Sequence, residues 1–381
     1  MRNLSDTNSP SPLLLTPGPV QVPAHVMQAL ARPPIHQRTA AFEALFEELR
    51  AGLRYLFQTK HEVLALAGSG TMAMQATMRS LFRPGDKVAV HSAGKFSGRW
   101  EAYGKALGLK VVKFGEDWRK AVTAAEAVEL SQAHPDLRGW VLTHVETSTG
   151  VAIDLEEIAF AIREGKNGQG GEQLICVDGI CSVGIQPLYL DDWWLDAVVA
   201  ASQKGLRNPA GTAFVGLSPR AIQALMPAEG DDYMALATYL EAARARKTFP
   251  FTPPVQLLYG ILAELEVIQV AGLPARWNAV QDARDVFHAG LKKLGGMEFA
   301  AGDASRGAGM AAGVTAFQLE GVEILDLRRR LAEEFGLIVA NGQAHLKGEI
   351  LRVGHFGDVG TEEMRELLKV MAQCLAKMNG K

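Results

Sequence analysis

The stretch that decides the fold is "LDAVVAASQKGLRNPAG", residues 195–211. Its apolar run from Ala197 to Ala201 is typical of a buried strand. The run ends in Ser202, Gln203 and then Lys204. Because ligands of α/β sheets bind at the carboxyl ends of the strands, this lysine is either an exposed charge or a reactive amine.

Six further apolar runs resemble this one, and most are separated by stretches long enough for a helix. That alternation predicts an α/β fold, in which helices cover both faces of a sheet. The last two runs lie close together, which predicts a tighter connection between them. The seven predicted strands are 62–67, 86–92, 109–114, 139–146, 173–178, 196–202 and 211–217.

The pattern changes near residue 250. The stretch "FPFTPPVQLLYGILAELEVI" (249–268) combines prolines with an apolar helical pattern, and it predicts one long helix over roughly 255–295. Helical patterns at 323–336 and 361–378, with the short strands "VTAFQL" and "EILRVGHFG", then predict a smaller α+β domain. The predicted division is a flexible segment 1–15, a large domain 16–265 and a small domain 266–381.

Composition limits the classes of protein. The net charge of −3 gives no basic field for nucleic acid. The N-terminus is too poor in apolar residues for a signal peptide, and no run approaches membrane-spanning length. The three cysteines, Cys176, Cys181 and Cys374, are too few for a disulfide framework and fit no common metal site. We therefore expect a cytoplasmic protein without a metal, a membrane anchor or a nucleic-acid partner.

Glycines follow the first predicted strand in "GSGTMAM" (68–74). Gly68, Ser69 and Gly70 predict a turn, and Thr71 can cap the helix that follows. Such a helix start is either a plain capped turn or an anion site suited to phosphate. The stretch also matches the G-x-G-x-x-A dinucleotide pattern, but the next strand ends in "AVHSAG" without the acid that holds a ribose. This favours a phosphate site and disfavours a nicotinamide dehydrogenase.

Three other strand ends carry candidate residues. Phe96, in "HSAGKFSGRW", is either a core aromatic or a platform for a flat ring. Thr147, in "HVETSTG", offers a hydroxyl to a ligand oxygen unless it belongs to a solvated turn. Asp178, in "LICVDGICSVG", is either exposed at the strand end or a partner for a protonated ring nitrogen, because an unpaired buried carboxylate is costly.

Lys204 and Asp178 lie on predicted neighbouring strand ends, beside the phosphate site. Lysine shifts its pKa readily when desolvated, which suits bond formation with a carbonyl carbon. Pyridoxal 5'-phosphate (PLP) requires a lysine, an acidic partner for its ring nitrogen and an anchor for its phosphate. The three features together predict this cofactor.

Five motifs occur together and in order: "AGSGTMAM", "HVETSTGV", "VDGICSVG", "ASQKGLRNPAGTAFVG" and "LRVGHFG". With them the sequence resembles the class V aminotransferases, in particular the alanine–glyoxylate and serine–glyoxylate (serine–pyruvate) group. The resemblance begins at "TPGPVQVP" and covers most of the chain. It implies a fold-type I homodimer with active sites at the subunit interface. It also implies a large domain with a mainly parallel seven-stranded sheet and a smaller α+β C-terminal domain.

The resemblance assigns roles to single residues. Lys204 and Asp178 match the catalytic lysine and aspartate. Thr252, in "PFTPPV", matches a phosphate contact from the other subunit, and Gly18 and Arg352 match substrate-binding positions. A guanidinium binds a carboxylate through two parallel hydrogen bonds, which supports Arg352 independently. The matched cofactor contacts are Ser69, Gly70, Thr71, Phe96, Thr147, Asp178, Ile180, Gln203 and Lys204.

Some positions depart from the family pattern. Phe96 stands where many members have tryptophan, and Phe249 stands where some have a tyrosine that contacts the phosphate. Arg207 replaces a smaller or apolar residue. It either faces the substrate, which would favour a dicarboxylate, or pairs with solvent or a neighbouring carboxylate. We expect the second arrangement, with alanine or serine as amino donor and glyoxylate or pyruvate as acceptor.

Other functions are compatible with the same pattern. One is an aspartate or aminoethylphosphonate aminotransferase, and another is a PLP-dependent lyase or desulfurase. A desulfurase needs a cysteine on a mobile loop, whereas Cys374 lies in the last predicted helix and Cys176 and Cys181 flank Asp178. A catalytically inactive scaffold would be expected to lose Lys204 or Asp178, and both are present.

Overall fold

The computed structural model describes residues 12–165, 172–228, 230, 232–245, 247–301 and 309–378. The strands are β1 Leu13–Leu14, β2 Glu62–Ala67, β3 Lys87–His91, β4 Lys110–Phe114, β5 Leu137–Thr143, β6 Leu174–Asp178, β7 Ala197–Ala201, β8 Thr212–Leu217, β9 Gly296–Glu298, β10 Val314–Leu319, β11 Leu337–Ile338, β12 Ala340–Asn341 and β13 Leu351–Gly354. The helices are α1 Ala24–Leu30, α2 Ala40–Phe57, α3 Gly70–Leu81, α4 Ser97–Ala106, α5 Ala124–Ala133, α6 Leu155–Glu164, α7 Pro219–Ala224, α8 Leu236–Ala245, α9 Val255–Ala271, α10 Leu273–Lys293, α11 Ile324–Phe335 and α12 Thr361–Met378.

A large mixed sheet is the centre of the fold. In the described part of the chain it has seven strands in the order β2-β8-β7-β6-β5-β3-β4. Strand β8 runs antiparallel to both β2 and β7, and the other pairs are parallel. The predicted α/β fold, with its mainly parallel sheet of seven strands, is therefore confirmed.

The strand directions bring the candidate residues to one edge of this sheet. Because β2 and β7 are both antiparallel to β8, they run the same way as β3, β5 and β6. Their carboxyl ends therefore lie at a common edge. The loops that follow these ends hold the glycine turn, Phe96, Thr147 and Lys204, and Asp178 is the last residue of β6.

A second, four-stranded antiparallel sheet has the order β12-β13-β10-β9. Its apolar face forms a separate core with α10, α11 and α12, centred on side chains such as Phe287, Phe317 and Leu367. The helix α11 ends at Gly336, whose left-handed φ of +69° suits glycine. The C-terminal part of the chain is thus an α+β unit, as the fold class predicts.

The predicted long helix over 255–295 is wrong, because the chain forms two helices there. Helix α9 ends at Ala271 and α10 begins at Leu273, with a bend of 92° between them. Gly272 adopts a φ of +82°, which leaves the right-handed helical region, and Pro274 occupies the first turn of α10. Among the described residues no single helix is long and apolar enough to cross a membrane; only this bent pair meets those criteria, and only when taken together.

The N-terminal segment forms a small two-stranded sheet with the C-terminal part of the chain. Residues 1–11 of the predicted flexible segment lie outside the described residues. Leu13 and Leu14, however, form β1, which pairs in parallel with β11, and Leu15 is fully buried. Leu13 and Leu15 pack on the second core, and the predicted flexibility of segment 1–15 stays a prediction. The predicted domain boundary at 265/266 falls within α9 and stays a prediction.

Candidate active site

Lys204 lies directly beyond β7 and is 8% exposed. Its Nζ donates a hydrogen bond to the carbonyl oxygen of Pro17, in the segment between β1 and α1. Burial lowers the pKa of the Lys204 ammonium, and the charge of Arg352 acts in the same direction. A buried amine of this kind can reach its neutral, nucleophilic form more readily than an exposed lysine.

Gly18, the residue after Pro17, also lies close to the Lys204 side chain. A Cβ built on Gly18 would lie 2.5 Å from both Cε and Nζ of Lys204. Gly18 also has a φ of +118°, which L side chains rarely adopt. The chain therefore approaches the lysine as closely as glycine permits.

Asp178 is the last residue of β6 and is 4% exposed. Its Oδ2 accepts a hydrogen bond from Trp100 Nε1 at 3.1 Å, and its Oδ1 accepts one from the Ile180 amide at 3.1 Å. Burial raises the pKa of the carboxyl to about 6, although these hydrogen bonds oppose the shift. A carboxylate has about four acceptor positions, so Asp178 retains capacity for a further donor.

The predicted anion site lies at the start of α3. Ser69 caps the helix by accepting a hydrogen bond from the Met72 amide, and the first turn holds no acidic residue. Gly70 lies tightly against Ile180, because a Cβ there would be 2.6 Å from Ile180 Cδ1. Arg99 donates to Thr71 Oγ1 at 3.1 Å and adds positive charge. Free amides and a cation at a helix N-terminus together suit a phosphate.

Glu146 organises the loops beside Phe96 and Thr147. Its fully buried carboxylate accepts hydrogen bonds from the amides of Phe96, Ser97 and Ser148, the shortest from Ser97 at 2.8 Å. The guanidinium of Arg99 lies 4.9 Å from the centre of the Phe96 ring. The half-buried aromatic ring and the Thr147 loop are thus held together by one carboxylate.

Arg352 reaches this edge from β13 of the small sheet and is 6% exposed. Its Nε and Nη2 donate to the Asn341 carbonyl at 2.9 and 2.8 Å, and Nη1 donates to the Thr147 carbonyl at 3.0 Å. Burial lowers the pKa of its guanidinium to about 10. A guanidinium has five N–H donors, so these contacts with described residues leave one each on Nη1 and Nη2, enough for a carboxylate.

Arg207 does not carry a free guanidinium. It donates to Glu264 through Nε at 2.6 Å and through Nη2 at 2.9 Å, and Glu264 is fully buried. This is the arrangement that we expected, in which Arg207 pairs with a neighbouring carboxylate.

Among the described residues, Thr252 and Gln203 form no hydrogen bond with the groups above. Thr252 is exposed in the segment before α9. The side-chain oxygen Oε1 of Gln203 is buried and has no hydrogen-bond partner among the described residues. All three cysteines are free and buried, and burial raises the pKa of Cys374. The described residues include no group of three or more His, Cys, Asp or Glu side chains placed to hold a metal ion.

Four contributors were missed by reasoning from the sequence. Trp100 follows Phe96 by one helical turn, and this spacing was the available signal for its place near the site. Glu146 lies in the polar stretch "HVETSTG", where nothing distinguishes it from its polar neighbours. Arg99 and the Pro17 carbonyl gave no sequence signal, because their contacts depend on how distant loops meet.

The α/β fold places a buried lysine amine, a buried carboxylate and a helix start without acidic residues at one edge of the sheet, an arrangement typical of an enzyme. A family model described as "Aminotransferase class-V" matches residues 15–354. The chain therefore belongs to the class V aminotransferases, and it is a transaminase by family. Alanine–glyoxylate and serine–glyoxylate aminotransferases are among its relatives. The family implies PLP as cofactor.

Individual relatives carry different names. The chain is 35% identical over 369 residues to a protein named soluble hydrogenase, small subunit, of a Synechococcus strain, covering 96% of this chain and 93% of that one. It resembles the structure of a Thermus thermophilus aspartate aminotransferase of subgroup IV, with a TM-score of 0.86 and 32% identity, covering 96% and 99% of the two chains. It also resembles an alanine–glyoxylate aminotransferase of a Nostoc species, with a TM-score of 0.89 and 29% identity, covering 98% and 97%.

Proposed function

We propose that this transaminase uses PLP, held at the Lys204 edge, to move the amino group of alanine or serine to glyoxylate or pyruvate. The observation that carries the proposal is the buried Lys204 amine beside the buried Asp178 carboxylate on neighbouring strands. An enzyme of this family needs both groups for its cofactor.

The residues fit PLP in several independent respects. The first amides of α3, in the stretch of Ser69, Gly70 and Thr71, would hold the phosphate. Gln203 lies next to Lys204 in the chain, and the amide NH2 of its side chain would donate to the phosphate. Phe96 would stack on the ring, with Thr147 and Ile180 beside it, and Asp178 would accept the ring N–H.

Each protein group has a separate task in the reaction. When bound, PLP supplies an aldehyde that takes up the amino group and a ring that withdraws electrons from the α-carbon. Lys204 Nζ is the base that moves the α-proton, since its lowered pKa favours the neutral amine. Asp178 keeps the ring nitrogen protonated by charge pairing. Arg352 holds the substrate carboxylate through its two remaining N–H donors.

The substrate class follows from the charges near the lysine. A donor with a second carboxylate would need a second cation, and Arg207 is already committed to Glu264 by two hydrogen bonds. This supports a small neutral donor. The likeness to an aspartate aminotransferase structure supports aspartate as a second candidate donor.

We also propose that the enzyme is a cytoplasmic homodimer with active sites at the interface. The exposed Thr252 is free to reach the phosphate bound to the other subunit, and the three free cysteines suit a reduced compartment. Light scattering is expected to give a dimer mass for the active protein. A fully active monomer would contradict the dimer and the role of Thr252.

Borohydride trapping tests the central proposal. Wild-type protein incubated with PLP is expected to give a covalent adduct that mass spectrometry maps to Lys204. Lys204→Ala should lose the adduct and nearly all transamination between alanine and glyoxylate. The control Lys110→Ala changes an exposed lysine of β4 and should behave as wild type. An adduct on a different lysine would disprove the proposal.

A further inference from the structure

Glu264 is a fully buried carboxylate in the apolar helix α9. It is paired with side chains from three other parts of the chain. Arg207 donates to both of its oxygens, Arg276 of α10 lies 3.1 Å from Oε1, and His25 of α1 lies 2.9 Å from Oε2. A carboxylate without exposure is retained only where such partners satisfy it.

Both arginines of this cluster hold the turn that carries Lys204. The amide of Arg207 donates to the Lys204 carbonyl at 2.9 Å, and Arg207 has a left-handed φ of +44°. Arg276 donates through Nη2 to the Gly205 carbonyl at 3.0 Å. Because Glu264 fixes both guanidinium groups, it also fixes the backbone that follows the lysine.

The same carboxylate is connected to the other segments that meet at the site. His25 lies in α1, which follows the segment of Pro17 and Gly18 that covers Lys204. Arg207 Nη1 lies 3.4 Å from the Gly357 carbonyl and 3.5 Å from Asp358 Oδ1, in the loop that follows β13. The strand β13 carries Arg352.

We propose that Glu264 is a positioning residue for Lys204, which sets the lysine turn against its covering segment through Arg207, Arg276 and His25. The inference rests on the proposed role of Lys204 in holding PLP. It predicts that the charge and length of Glu264 matter for the chemistry at Lys204 although Glu264 does not touch it. Misplacement of a reacting group by about 1 Å from a distant change can cost about a hundredfold in rate.

The test compares PLP-loaded wild type with four variants. Glu264→Gln removes the charge, and Glu264→Asp keeps the charge but shortens the side chain. Arg276→Lys keeps the positive charge, but a lysine cannot contact both Glu264 and the Gly205 carbonyl as the planar guanidinium of arginine does. This variant tests the inference if Glu264→Gln does not fold. Glu266→Gln is the matched control, since it makes the same change on the exposed side of α9. Visible circular dichroism of the bound cofactor, melting temperature, kcat and the KM for alanine are measured.

We expect Glu264→Gln to reduce the visible dichroism and to lower kcat by about tenfold or more, with KM for alanine changed by less than about threefold. Arg276→Lys should show a smaller loss of the same kind, Glu264→Asp should restore part of kcat, and Glu266→Gln should match wild type. A lower melting temperature with unchanged dichroism and kcat in both Glu264→Gln and Arg276→Lys would overturn the inference. Failure of wild type to take up PLP would instead overturn the proposed function, and the inference with it.

Discussion

Gly18 packs so closely against the side chain of Lys204 that a Cβ at residue 18 would overlap it. A methyl group on Gly18 would lie 2.5 Å from the Lys204 amine, and the carbonyl of the preceding residue accepts the hydrogen bond from that amine. The N-terminal segment therefore forms one wall of the site. A side chain at residue 18 and a ligand on Lys204 would compete for the same space.

Gly18→Ala is expected to reduce PLP uptake and turnover by about tenfold or more, because the new Cβ displaces the lysine amine and the φ of +118° is strained. Titration with PLP, followed by visible absorption, measures the effect. Gly85→Ala is the matched control, since Gly85 has a φ of +92° but no heavy atom within 4 Å of a built Cβ. Equal effects of the two substitutions would show that backbone strain alone is responsible.

Asp178→Asn is expected to keep the fold and lower kcat by about 10- to 1000-fold. Asparagine keeps the shape and one of the two hydrogen bonds that Asp178 accepts, from Trp100 or from the Ile180 amide. It lacks the charge that holds a ring nitrogen protonated, an effect of about one to three pKa units. Steady-state kinetics with alanine and glyoxylate measure the loss, and Asp192→Asn on the surface is the control. Turnover near that of wild type would rule out the charge-pairing role.

Arg352 and Arg207 are expected to respond differently to the choice of donor. Arg352→Ala should lower kcat/KM for alanine and aspartate alike, since loss of a buried carboxylate contact costs about 2–5 kcal/mol. Arg207→Gln should leave the ratio of kcat/KM for aspartate to that for alanine within about threefold of wild type, because Glu264 already occupies its guanidinium. A wild type that prefers aspartate, with that preference lost in Arg207→Gln, would refute the neutral donor and leave the cofactor chemistry intact.

Features that depend on local pattern were predictable from the sequence. The seven strands of the large sheet are short apolar runs, so their positions follow from the runs themselves, and β2 matches its predicted bounds. The residues after these strands share one edge because parallel strands end on the same side. The break in the predicted long helix occurs at Gly272. Glycine tolerates a positive φ, but the sequence does not show that the chain turns at this residue.

Features that depend on distant contacts were not predictable. Arg207 and Glu264 lie far apart in the sequence, and only the packing of α9 against the lysine turn brings them together. The apolar stretch "ILAELEVI" holds two glutamates, Glu264 and Glu266, and nothing in the sequence shows which one is buried or which residue pairs with it. The donation from Lys204 to the Pro17 carbonyl likewise requires that the N-terminal segment, which pairs with β11 through β1, reach the loop after β7.

His144, which follows β5, gives a prediction about acid stability. The Gln186 amide nitrogen lies 3.0 Å from its Nε2, and the amide orientation is set because Gln186 Oε1 accepts from the Ala312 amide. Nε2 therefore accepts, and Nδ1 is buried without a partner among the described residues. Burial lowers the pKa of the imidazole to about 4. The neutral ring thus contributes stability that is present above its ordinary pKa near 6.5 and is lost as the pH falls through about 4.

Urea unfolding of the cofactor-free protein at pH 7 and pH 5 tests this sign. Between pH 7 and pH 5 the free energy of unfolding of the wild type should fall by on the order of 2 kcal/mol more than that of His144→Asn, whose side chain at residue 144 cannot titrate. Asp178 acts in the opposite direction, because its raised pKa of about 6 adds stability as the pH falls. It is present in both proteins, so it cancels from the comparison, as does the buried His91, whose pKa is also lowered to about 4. The control His36→Asn, at an exposed histidine, should show the same change in the free energy of unfolding as the wild type. If His144→Asn also showed that change, His144 would not be held neutral by burial.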